Sequence, residues 1–141
     1  MYKRQTGYSV YTAGAGNGYV MGTNAYNDLA KGNKVTFDGS ASIVGIYAWY
    51  GAIESTSGNS IYVATIHDGS EALLGTSGTH TVADIDTTVA GANGWLEYTF
   101  STPVTVTSDF YAMVSVDAPA STDADTVALV CSVAGLSLIH I

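Results

Sequence analysis

Phe110 to Asp117 alternates without a break: Phe110, Ala112, Val114 and Val116 fall on one side of an extended chain, Tyr111, Met113, Ser115 and Asp117 on the other. A period of two suits a half-buried strand and no helix. Shorter runs of the same kind recur along the sequence, separated by clusters of Gly, Asn, Asp and Ser, and helical periodicity is weak throughout. Regularly spaced short strands with turn signals between them predict an all-β fold, an antiparallel β-sandwich of jelly-roll type. Lys34 to Phe37, Ser60 to His67, Thr79 to Val82, Trp95 to Phe100, Val104 to Thr107 and Thr126 to Cys131 read as further strands. Ser42 to Gly51 is the longest and is apolar on both faces; with Ser60 to His67 it is expected to form a hairpin. Asn24 to Asn33 reads as loop with one helical turn around Asp28 to Ala30, and Leu73 and Leu74 also fall in a loop. Pro103 is expected to open a strand, where its missing N–H is tolerated.

The two ends do not continue this pattern. Leu136 to Ile141 is what CTG TCT CTT ATA CAC ATC encodes, the end sequence of transposase-based sequencing libraries. Its reverse complement contains GTG TAT AAG AGA CAG, which gives Met1 to Gln5 if GTG is taken as a start. Residues 1–5 and 136–141 are therefore expected to be adapter-derived, with the β-sandwich module at residues 6–135 a fragment of a longer protein. The chain stops where another element would begin, which leaves the sandwich open to completion at its C-terminal end. About 130 residues make one domain with a core of its own.

Twelve acids face four basic residues, for a net charge of −8. Without Lys3 and Arg4 the charge becomes about −10, and only Lys31 and Lys34 remain as permanent cations. Phosphate backbones are bound by clustered Lys and Arg, so nucleic acid is not an expected partner. Cys131 is the only cysteine and fits a small buried hydrophobe. No run of about 18 apolar residues is present, so no membrane-spanning helix is expected.

No residue pattern points to catalysis. Gly75-Thr76-Ser77-Gly78-Thr79 lacks the final glycine of a nucleophile elbow, and Gly14-Ala15-Gly16-Asn17-Gly18 fails the dinucleotide spacing. His67-Asp68, and His80 with Asp84 and Asp86, supply metal-ligand chemistry without metal-ligand spacing. Glu54 and Glu97 are acids that nothing in the sequence pairs across a cleft. The expectation is a non-enzymatic module. Calcium is the one ion considered, because carboxylate and amide oxygens in irregular loops suit a hard cation. Asn24 and Asp28, with Asn27 between them, are the candidate ligands, and Asp123 with Asp125 forms a second candidate loop.

Ten tyrosines and two tryptophans offer ring faces on which sugars stack. Tyr47 and Trp49 project to one side of the long strand and Tyr50 to the other. One side must be core, and the opposite side would be a binding surface if left uncovered. Tyr47, Trp49 and Trp95 are the candidate ligand-binding residues.

The order of these runs resembles secreted β-sandwich modules of Bacteroidota proteins exported by type IX secretion. The resemblance rests on Gly18-Tyr19-Val20, Asn24 to Lys31, Val44 to Gly51, Phe100 to Thr107 leading into Asp109-Phe110-Tyr111, and Asp125 to Leu129. It implies an extracellular or cell-surface accessory module whose partners are other domains of its parent chain. Two functions are then expected: a structural or adhesive spacer, which is favoured, or a carbohydrate-binding module attached to a secreted hydrolase, with glycans as partners.

Overall fold

A computed structural model describes residues 6–7, 18–22, 29–54, 60–85, 94–118, 126–130 and 139–140. These are almost wholly strand: β1 (Thr6–Gly7), β2 (Gly18–Gly22), β3 (Ala30–Val35), β4 (Ala41–Glu54), β5 (Ile61–Asp68), β6 (Leu73–Thr76), β7 (His80–Thr81), β8 (Gly94–Val106), β9 (Phe110–Ala118), β10 (Thr126–Val130) and β11 (Ile139–His140), with one 3-10 turn at Val82–Asp84. No helix among the described residues is long and apolar enough to cross a membrane.

All pairings are antiparallel and form two sheets. The first runs β1-β3-β9-β5, with β6 and β7 sharing the far edge of β5. The second is centred on β4. Tyr47 and Ala48 pair with Glu97 and Leu96 of β8 on one edge and with His140 and Ile139 of β11 on the other; Tyr50 likewise pairs with Gly94 of β8 and Leu129 of β10. β2 lies outside β10. From β3 onward the chain changes sheet at β3–β4, β4–β5, β7–β8, β8–β9 and β9–β10.

One core lies between the sheets. Val35, Tyr62, Ala64, Ile66, Phe110, Ala112, Val114 and Val116 come from the first sheet; Ile46, Ala48, Tyr50, Leu96, Tyr98, Val106 and Val127 come from the second. Large residues face small ones across the strands: Ile66 opposes Ala112, Tyr50 opposes Gly94, and Leu96 opposes Ala48. Such alternation lets side chains interdigitate without voids. β9 buries Phe110, Ala112, Val114 and Val116, one of the two faces that its alternation separates.

Four local expectations change. β4 and β5 are not a hairpin; they lie in different sheets. Tyr62 to Ile66 are buried on both faces, and β5 lies inside the first sheet between β9 and the β6–β7 edge. Ala30 to Asn33 are strand rather than loop. β3 alternates in burial but not in hydropathy, because Lys31 and Asn33 share the inward side with Val35. Leu73 and Leu74 belong to β6 and are exposed. Pro103 does not open a strand but lies inside β8, where the register steps from Ile43↔Val104 to Gly45↔Thr99. An unpaired irregularity tolerates a missing N–H as well as a strand start does.

Candidate ligand-binding face

The irregularity beside Ile43 sets which side of β4 is seen by solvent. Beyond it Ile46, Ala48 and Tyr50 point inward and are fully buried, whereas Tyr47 is 43% exposed and Trp49 half-buried. Tyr50 is thus the core aromatic of this strand, and Tyr47 and Trp49 belong to its outer side. The register sets Trp95 opposite Trp49 and Glu97 opposite Tyr47, so the three aromatic candidates occupy neighbouring positions on two paired strands. The side chain of Trp95 lies outside the described residues.

Sequence reading did not connect Glu97 to Tyr47. Its carboxylate accepts a hydrogen bond from the Tyr47 hydroxyl, and this bond, with some burial and the charge itself, raises the phenol above its ordinary value. A carboxylate stabilises the protonated phenol that donates to it. The arrangement offers a ring beside an acceptor, suited to a ligand with C–H faces and hydroxyl donors. The signal available in the sequence was weak: Glu97 alternates with Leu96 and Tyr98 on β8, but only the register selects its partner.

The other polar residues have structural duties. Asp68 Oδ1 accepts from Ser70 N at 2.8 Å and Ala72 N at 2.9 Å, closing the turn between β5 and β6. Glu71 in that turn has φ 69°, in the left-handed region, and the His67 ring nitrogen Nδ1 lies 3.1 Å from its carbonyl oxygen. Ser77 is no activated nucleophile: its Oγ accepts from Ala64 N at 2.9 Å and donates to Gly78 O at 2.7 Å. His80 packs edge-on against Tyr98, with ring centroids 5.0 Å apart, and its Nδ1 lies 3.7 Å from Asp84 Oδ2, which also accepts from Thr81 N. Asp86 lies outside the described residues. Among the described residues no three His, Cys, Asp or Glu side chains form a metal-binding group. The calcium candidates Asn24 and Asp28, and Asn27, Asp123 and Asp125, are outside the described residues, as is Cys131.

No protein-family model, curated protein or solved structure matches this chain.

Proposed function

We propose that this chain is a non-catalytic accessory module, a structural or adhesive spacer with jelly-roll winding, within a larger secreted or cell-surface bacterial protein of the Bacteroidota type IX kind. The observation that supports an adhesive role is the outer side of β4, where Tyr47 is exposed and Trp49 half-buried while Tyr50, Tyr62 and Tyr98 are consumed by the core. A self-packed sandwich with aromatic side chains left on one sheet face has something to hold and something to hold it with. Long-read sequencing of the source gene tests the modular reading. A neighbouring hydrolase, repeat array or sorting domain is the expected result; a reading frame encoding this chain alone would sink it.

A second reading, carbohydrate binding, is favoured by the Tyr47–Glu97 pair, because a ring and an adjacent acceptor serve the two sides of a sugar. A glycan array probed with the full chain is expected to show binding that Tyr47→Ala and Trp49→Ala abolish. Unchanged binding after replacement of Tyr47, Trp49 and Trp95 together rules this face out.

A further inference from the structure

The first sheet carries a separate arrangement on its own outer side. Across β3, β9 and β5 the register aligns Lys34, Tyr111 and His67 in one row, and Gly32, Met113 and Thr65 in the next. A cavity of about 350 Å³ lies over these rows, lined by Gly32, Lys34, His67, Glu71, Tyr111 and Met113. Small-ligand sites run from roughly 300 to 1,000 Å³, so this one suits a short ligand.

Each wall has a distinct chemistry. Gly32 has no room for a Cβ, which would lie 2.6 Å from Met113 Cγ, so the Met113 side chain crosses the glycine and forms an apolar floor. Tyr111 is half-buried beside it. The imidazole of His67 is fixed, with Nδ1 3.1 Å from Glu71 O and Nε2 3.1 Å from Thr65 Oγ1. Both nitrogens are engaged, so His67 presents its ring as a wall. Lys34 Nζ stands 5.7 Å from the Tyr111 ring centroid and 3.8 Å from Asp109 Oδ2. The Lys34 and Asp109 side chains are 30% and 40% exposed, and an ion pair this long and this wet holds the ammonium only weakly. Lys34 is therefore available to an incoming anion. Glu71 is exposed at the rim and accepts hydrogen bonds.

We propose that this cavity binds an acidic sugar, a hexuronate unit of a polysaccharide, with its C–H face on Met113 and Tyr111, its carboxylate on Lys34 and a hydroxyl donating to Glu71. The charge distribution favours this class. From residue 6 onward the chain of net charge −8 has only two lysines and no arginine, and Lys34 is the one that β3 turns to its outer side, Lys31 being buried on the inward side. A carboxylate is repelled by the rest of such a surface and is held best beside that ammonium. An aromatic carboxylate would leave Glu71 facing a ring without donors. The site lies on the opposite sheet from Tyr47 and does not depend on that face.

Calorimetric titration of the full chain with tetragalacturonate, and with uncharged galactotetraose as its counterpart, tests the proposal. Tetragalacturonate is expected to bind, more weakly as salt rises, while the neutral probe binds at least about tenfold less tightly. Lys34→Gln, a partly exposed substitution that leaves the core untouched, is expected to weaken tetragalacturonate about tenfold, as loss of one charge-assisted hydrogen bond should. Tyr111→Leu is expected to weaken both probes, and Tyr47→Ala neither. Equal affinity for the two probes, no binding at millimolar concentration, or loss on Tyr47→Ala with Lys34→Gln unaffected would each overturn it.

Discussion

The hydroxyl oxygens of Tyr50 and Tyr98 lie 2.6 Å apart inside the sandwich, joining neighbouring strands of one sheet by a buried side-chain hydrogen bond. Both residues are fully buried. Tyr50 opposes Gly94, Tyr98 opposes Ile46, and Ala48 lies between Ile46 and Tyr50 on the same face, where its short side chain leaves room for the two rings to lean together. Removing one hydroxyl takes this partner from the other, which is fully buried. Tyr50→Phe or Tyr98→Phe is expected to cost about 1–3 kcal/mol each, and the double variant clearly less than the sum. Urea denaturation of the four proteins measures this, and additive costs would mean that the hydroxyls do not support one another.

The same pair governs behaviour in alkali. Burial is the main cause that raises both phenols, with the Tyr98 charge next for Tyr50, and the folded protein keeps both protonated above the usual tyrosine range. An unfolded tyrosine ionises near about 10. The unfolded chain therefore releases protons that the folded chain retains, so stability is full below about pH 10 and falls as pH rises beyond it. Absorbance at alkaline pH is expected to show exposed tyrosines ionising first and Tyr50 and Tyr98 only with unfolding. Reversible ionisation of every tyrosine near pH 10 with the circular dichroism of the fold intact would contradict it.

Glu97 is expected to control the ionisation of Tyr47. Glu97→Gln removes the charged acceptor that raises the Tyr47 phenol, so its ionisation should move back down towards the ordinary value. A pH titration of the tyrosine ring carbons by NMR reports this directly, and an unmoved Tyr47 resonance would refute the pairing.

Gly32 and Gly78 separate a steric requirement from a loop preference. A Cβ on Gly32 would lie 2.3 Å from Ala112 O, a backbone atom of the paired strand, whereas one on Gly78 meets nothing within 4 Å. Gly32→Ala is expected to destabilise by about 3 kcal/mol and Gly78→Ala to be nearly neutral. Thermal melts compare them, and a tolerated Gly32→Ala would show that β3 and β9 are not so closely apposed.

Period-two patterns were enough for the all-β class, for separating the two faces of β9, and for placing Tyr50 on one side of β4 with Tyr47 and Trp49 on the other. These follow from the alternation of side chains along an extended backbone, which is local. Where burial and hydropathy part company, the pattern is silent: β3 places Lys31 and Asn33 on its inward side, and β6 exposes Leu73 and Leu74. Pairing across tens of residues is not local at all. The separation of β4 from β5, the bond from Tyr47 to Glu97, and the row of Lys34, Tyr111 and His67 exist only because two sheets closed over one core, and that closure chose the register that brings each group to its neighbour.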